Sequence, residues 1–243
     1  KVIITNDITE QHTNYIELLR RAIPELVHDK NQQPEPRETA FVPFESAPQL
    51  RVAISLGSSS EQGFLGREAF YELGDSCAPE EVEQRRGKIH VEDEALMIYT
   101  SGTTAMPKGC PLNHIVLQHA GVVGGVECMG LQPGDVMWGP LPMFHTAFIQ
   151  PLTGILHVGG TYLSMTHFDA GAALEMIRRE SATLMFPAFP TITMQLLNHP
   201  AYTASSFAAV RVVLNVGPPE ELRAMQERMP NTVQITVFGM TET

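Results

Sequence analysis

LMIYTSGTTAMPKG, the stretch from Leu96 to Gly109, sets the reading of the rest of the chain. Leu96 to Tyr99 is an apolar run of strand length, and Thr100, Ser101, Gly102, Thr103 and Thr104 then supply small hydroxyl and glycine residues before Pro107 and Lys108. Backbone N–H groups in a glycine-containing turn, with hydroxyls beside them, surround phosphate oxygens, and a lysine adds a mobile point charge for the same anion. The expected element is a buried strand ending in a phosphate-holding loop. It is not the phosphate loop of nucleoside triphosphatases, which needs a second glycine before its lysine and a Ser or Thr after it. Here Pro107 and Gly109 stand in those places. An ordinary surface turn has the same composition, so the surrounding chain has to decide.

Downstream, apolar runs and helical periodicity alternate. Asn113 caps a helix reaching Cys128, Pro133-Gly134-Asp135 turns the chain, and Val136 to Gly139 returns as a strand. Thr146 to Leu156 reads as a buried helix, Thr161 to Met165 as a strand, and Asp169 to Arg179 as a helix capped by Asp169. Thr183 to Phe186, Thr191 to Asn198, Val210 to Val216, Pro219 to Met229 and Val233 to Phe238 continue as strand, helix, strand, helix, strand. Such alternation predicts an α/β fold, a mainly parallel sheet with helices on both faces. Ligands in such folds sit at the carboxyl ends of the strands. The loop from Thr100 to Lys108, the run Pro140 to His145, Gly217-Pro218-Pro219 and Gly239 to Glu242 each leave a strand end, so all four are expected at one crevice.

Upstream, Val2 to Thr5 is a strand, and Thr9 or Asn14 caps a helix reaching Ile23. Asn31 to Pro48 holds four prolines and reads as an irregular connection. Arg51 to Leu56 is a second strand, Phe64 to Leu73 a short helix, and Ala78 to Glu94 a charged, solvated connection.

The 243 residues are 43% apolar and 18% charged, ordinary for a globular protein with a sizeable core. A net charge of -11 argues against nucleic acid or an anionic membrane as the main partner. Cys77, Cys110 and Cys128 form no Cys-x-x-Cys pair and read as free thiols, which favours a cytoplasmic location. The longest apolar region, Thr146 to Leu163, is interrupted by Gln150, Pro151, His157 and glycines, so no transmembrane segment is expected. The chain starts without Met, inside a strand, as a fragment would.

In order, TSGTTAMPKG (100 to 109), PLPMFHT (140 to 146), NVGPPE (215 to 220) and FGMTE (238 to 242) resemble the ATP-dependent adenylate-forming family, especially its acyl-CoA synthetases. The resemblance is clear over Val91 to Thr243 and loose over Lys1 to His90. It implies the central part of a large N-terminal AMP-binding domain, residues 1 to 243, incomplete at both ends and without the C-terminal catalytic-lysine domain. It also implies a two-step reaction. A carboxylate attacks the α-phosphate of ATP to give an acyl-adenylate, and the thiol of coenzyme A then displaces AMP. By motif match, Thr100, Ser101, Gly102, Thr103, Thr104 and Lys108 hold the β- and γ-phosphates, Thr241 meets the α-phosphate, and Glu242 holds Mg²⁺. Phe238, with Gly239 and Met240 beside it, faces the adenine, as do Gly217 and Pro218 on a looser match. His145 borders the acyl carboxylate.

Two residues depart from the family's pattern. Ala105 stands where it usually has Gly, which restricts the loop, and Phe238 replaces the usual Tyr. An amino-acid-activating relative would place an acidic residue just after PLPMFHT, and Ala147 to Gly154 contains none. A fatty or other hydrophobic acid is therefore the expected substrate. Phe144, Phe148, Ile149, Leu152, Ile155 and Leu156 either line its pocket or form a buried core helix. A noncatalytic nucleotide-binding fragment or paralogue, and an adenylation domain loading a carrier protein, stay open as alternatives, as does the oligomeric state.

Overall fold

Between Val136 and Ile235 the strands alternate between two apolar faces, and this dictates the architecture. Along β6 (Val136–Trp138), β8 (Leu184–Ala188) and β9 (Val212–Asn215), successive side chains leave opposite sides of the sheet. Met137, Leu184, Phe186, Val212 and Leu214 join one core with Phe148 and Ile155, while Trp138, Met185 and Val213 join another with Leu174, Ile177, Leu196 and Met225. A sheet apolar on both sides must be covered on both. Helix α5 (Thr146–His157) covers the first face, and α6 (Ala170–Arg179), α7 (Pro190–Asn198) and α8 (Pro219–Arg228) cover the second. With β7 (Thr161–Leu163) and β10 (Val233–Ile235) this makes a five-stranded parallel sheet in the order β10-β9-β8-β6-β7. The α/β reading from sequence is met.

The strand order has a consequence for ligand binding. The chain steps from β6 outward to β7, then returns to the other side of β6 to lay down β8, β9 and β10. The winding direction therefore reverses between β6 and β8, and the crevice outside their carboxyl ends is where such sheets bind ligands.

The amino-terminal edge of the same strands is locked instead. Asp135, buried ahead of β6, accepts from the Thr183 hydroxyl at 2.8 Å and the Gln132 amide at 2.8 Å. Its second oxygen also receives the Arg211 guanidinium, which bonds the Gly130 carbonyl at 2.9 Å. One carboxylate thus ties together the segments entering β6, β8 and β9.

The computed structural model describes residues 1–8, 11–27, 44–101 and 106–241, and the chain divides into two units, Lys1–Ile89 and His90–Thr243. The first unit carries a parallel sheet, β1 (Val2–Thr5), β2 (Val52–Ser55) and β3 (Leu65–Gly66). Asn14, rather than the undescribed Thr9, caps α1 (Tyr15–Ala22), with its Oδ1 accepting from the Glu17 amide at 2.9 Å. Leu26, Leu50, Ala53 and Ile23 form this unit's core.

Two expectations here are corrected. The helix expected from Phe64 begins later, as α2 (Arg67–Asp75), because Leu65 and Gly66 pair with β2. The charged segment after Ala78 is not wholly a connection but holds α3 (Pro79–Arg86). That helix buries no residue and so has no apolar stripe to betray it. Pro79 at its first position, acids in the first turn and arginines in the last support it instead.

In the second unit, the stretch around Leu96 also differs from expectation. β4 (Glu94–Thr100) is not a buried strand of the parallel sheet. It pairs antiparallel with β5 (Lys108–Asn113) in a separate two-stranded ladder, and only Ile98 on it is buried. Beyond Asn113, which does cap α4 (His114–Gln118), the helix widens into a π-helical stretch, His119–Cys128. There it lies close against α5. The Thr153 hydroxyl donates to the Leu117 carbonyl at 3.3 Å, and a Cβ added to Gly121 would fall 1.8 Å from Thr153 Oγ1. No helix among the described residues is long and apolar enough to cross a membrane.

Candidate active site

His145 stands at the switch point, where the turn after β6 becomes α5. Its backbone is extended and its amide donates to the Pro142 carbonyl at 3.0 Å, which closes the Pro142 to His145 turn. Its Nδ1 accepts from the Ala147 amide at 3.0 Å, so the imidazole is the cap of α5. An imidazole whose Nδ1 accepts carries its proton on Nε2 when neutral, which leaves that N–H as a donor. The first turn of α5 contains no acid, so the positive end of the helix dipole is left for an external anion.

The exits of β8 and β9 are joined directly. The Val216 amide donates to the Ala188 carbonyl at 2.6 Å. Ala188 is buried and holds φ at +61°, a left-handed conformation that costs a non-glycine residue about 1 kcal/mol or more. It turns the chain from β8 into Phe189 and α7. Gly217 packs on the start of α7, where an added Cβ would fall 2.6 Å from Pro190 Cγ. The α8 entrance beyond it is unsuited to phosphate. Pro218 and Pro219 lack amide donors, and Glu220 and Glu221 occupy the first turn. An uncharged ring suits that position better.

Beneath these exits, Asn215 is fully buried at the end of β9. Its Oδ1 accepts from Thr193 of α7 at 2.8 Å, and its Nδ2 donates to Gln234 of β10 at 3.2 Å. Asn215 thereby ties β9 to β10 and to α7, the helix that follows β8.

The remaining expected residues divide into two groups. β10 ends at Ile235, so Phe238 lies beyond the strand rather than at its end, and it is 96% exposed, with its ring face open. Gly239 and Met240 are exposed as well, Thr241 is partly buried, and Glu242 lies outside the described residues. The Thr100 loop belongs to the β4–β5 hairpin and not to the parallel sheet, so three of the four expected segments leave strands of that sheet. Thr100 pairs with Lys108 across the ladder, on the side of the hairpin that carries Ile98 and Cys110. Thr100 Oγ1 and Cys110 Sγ are 3.8 Å apart. The hairpin thus opens with a hydroxyl and an amine side by side. Ser101 is exposed, while Gly102, Thr103, Thr104 and Ala105 lie outside the described residues.

Of the six residues offered as an acyl pocket, Phe148 and Ile155 belong to the core, Ile149 and Leu152 pack against it, and Phe144 and Leu156 are exposed. Sequence reading passed over Ala188, Asn215, Thr193 and Tyr162. The run Phe186-Pro187-Ala188-Phe189-Pro190 was a usable break signal, and Asn215 opens NVGPPE without having been given a role, but nothing local marked Thr193 or Tyr162.

A family model described as AMP-binding enzyme matches residues 1–243. YngI of Bacillus subtilis, which carries the name of an acyl-CoA synthetase, is 28% identical over 235 residues, 95% of this chain and 41% of its own length. 4-Coumarate–CoA ligase 3 of Oryza sativa is 32% identical over 161 residues, covering 63% of this chain and 29% of its own. A solved structure from Rhodopseudomonas palustris, named as a long-chain-fatty-acid CoA ligase, shares the fold with a TM-score of 0.72 at 20% identity, over 99% of this chain and 51% of that one. The chain spans about half the length of that structure and less than half of these curated relatives.

Proposed function

The chain belongs to the AMP-binding enzyme family, and from that premise we propose that it serves ATP-dependent activation of a carboxylic acid followed by transfer to coenzyme A. A carboxylate oxygen of the acid bonds the α-phosphorus of ATP and pyrophosphate leaves. The sulfur of coenzyme A then bonds the acyl carbon and AMP leaves. The observation that carries this reading is the placement of PLPMFHT, NVGPP and FGMT on strand exits along one edge of a single parallel sheet, with His145 at its switch point.

The proposed roles follow from chemistry. His145 Nε2–H and the dipole of α5 steady the acid's carboxylate. Thr100, Ser101, Gly102, Thr103, Thr104 and Lys108 hold the β- and γ-phosphates, and Thr241 meets the α-phosphate. Glu242 suits Mg²⁺ as a hard oxygen ligand, and the ion supplies charge neutralisation of the phosphates. Phe238 offers a ring face to the adenine, and the donor-poor Gly217-Pro218 entrance suits the uncharged base. The proposed acid is fatty or otherwise hydrophobic, since no acidic residue follows His145 within α5 to meet an amino group. We place the activity in the cytoplasm, a location supported by three free cysteines.

The test is pyrophosphate release with ATP, Mg²⁺ and a panel of fatty, aryl and amino acids, using the full product of the reading frame. Release selective for fatty or aryl acids supports the proposal. ATP binding without release from any acid favours a noncatalytic nucleotide binder, and a preference for amino acids overturns the substrate class.

A further inference from the structure

Among the described residues two buried polar atoms lack a hydrogen-bond partner, Trp138 Nε1 and Tyr162 Oη, and Tyr162 on β7 is the one that packs with the core on the α5 face. Its hydroxyl is enclosed and has no hydrogen-bond partner among the described residues. Its ring packs edge-on against Phe148 of α5, with centroids 5.1 Å apart. The hydroxyl itself reaches over Gly139, the first residue after β6, where an added Cβ would fall 2.2 Å from it and 3.6 Å from the Phe186 carbonyl oxygen. Glycine at 139 is what admits this oxygen. The group therefore lies between β6, β8 and α5, on the face of the sheet that α5 covers, and beside the switch point. Phe148 follows His145 by three residues, about 4.5 Å along the helix.

An enclosed hydroxyl left unpaired costs about 1–3 kcal/mol, so an unsatisfied donor calls for an explanation. Burial raises the Tyr162 pKa, so the phenol stays a neutral donor across physiological pH. We propose that Tyr162 Oη sets substrate class by donating to an oxygen on the tail of the acid. The preferred acid then carries a hydroxyl, ether or carbonyl oxygen on its tail, away from the carboxylate, and is not a plain hydrocarbon chain. This refines the acid-activation reading and rests on it, with the carboxylate at His145 and the tail running along α5.

Matched acids test it in the full product of the reading frame: 4-hydroxycinnamate against cinnamate, and 6-hydroxyhexanoate against hexanoate, by ATP–pyrophosphate exchange. Tyr162→Phe keeps the ring and its packing. It is expected to lower kcat/KM about tenfold for the hydroxylated member of the better-used pair, and to leave the unsubstituted member within about twofold. Gly139→Ala, which drives a methyl into the hydroxyl's place, is expected to produce the same loss of preference. Equal effects of Tyr162→Phe on both members, or on neither, overturn this inference while leaving acid activation intact. Absence of exchange by the wild-type protein with every acid overturns acid activation and this inference with it.

Discussion

The hydroxyl of Thr193 on α7 donates to Oδ1 of Asn215 on β9 at 2.8 Å, with both side chains fully buried. Since Asn215 also reaches Gln234 on β10, this bond is half of a polar bridge that joins α7, β9 and β10. Thr193→Val and Asn215→Leu are each expected to lower unfolding free energy by about 1–3 kcal/mol, because each strands a buried partner. The double substitution is expected to cost less than the sum. Urea unfolding of the four proteins checks this, and strict additivity would remove the coupling.

Asp135 holds the opposite edge. Replacing it with Ala leaves Thr183, the Gln132 amide and Arg211 without their common acceptor. Arg211 is partly exposed and can turn to water, so the expected loss is about 2–3 kcal/mol, below the range for a fully buried pair. Asp135→Asn, which keeps one acceptor oxygen, is expected to lose less. The two can be ranked by thermal melting.

For His145, capping and chemistry can be separated. His145→Ala removes the acceptor for the Ala147 amide and is expected to cost about 1 kcal/mol. His145→Asn supplies another good cap and should fall within about 0.5 kcal/mol of the parent. If the proposed role is right, both variants raise KM for the acid in the full-length protein, although only one is destabilised. Recovery of wild-type KM by Asn would reduce His145 to a cap.

Ala188 is strained and buried at once. Ala188→Gly relieves the backbone while giving up one buried methyl, so the two effects, each about 1 kcal/mol, nearly cancel. Ala53→Gly, in a buried strand position with no positive φ, has no such compensation and is expected to lose more. Ala188→Val should cost at least about 2 kcal/mol. Equal losses for the two glycine variants would argue that Ala188 is not strained.

In the first unit, the Asp7 carboxylate accepts from both the amide and the hydroxyl of Ser58, at 2.8 Å each, and these bonds hold its pKa below the ordinary carboxylate value. A pKa lowered by folding contributes stability that is complete above the unfolded value and disappears as pH falls through the folded one. Stability should therefore decline on acidification below about pH 4, and Asp7→Asn should flatten that part of the profile. An unchanged acid limb in the variant would show that other carboxylates set it.

Parts of the fold that position the candidate site were legible because their signals are local. Helix caps at Asn113 and Asp169 involve bonds spanning three residues, so sequence spacing alone carries them, whereas the capping of α5 by His145 emerged only in the structure. Hidden elements lacked a hydrophobic pattern: α3 has no apolar stripe, and β5 begins with Lys-Gly and contains a proline, a poor strand signature. The hairpin forms because Ile98, Cys110 and Leu112 bury one of its faces, a pairing across a turn that neither half announces.

By itself the sequence determined the α/β alternation, the parallel sheet with helices on both faces, and the motif set of the AMP-binding family, since periodicity and short-range spacing encode these. Tertiary structure alone decided the strand order that puts His145 at the reversal between β6 and β8. It also decided the strain at Ala188, the Thr193–Asn215–Gln234 bridge and the enclosure of the Tyr162 hydroxyl over Gly139. Each of these depends on residues brought together from separate strands and helices, where packing density and the need to pair buried polar groups act, and no local pattern records them.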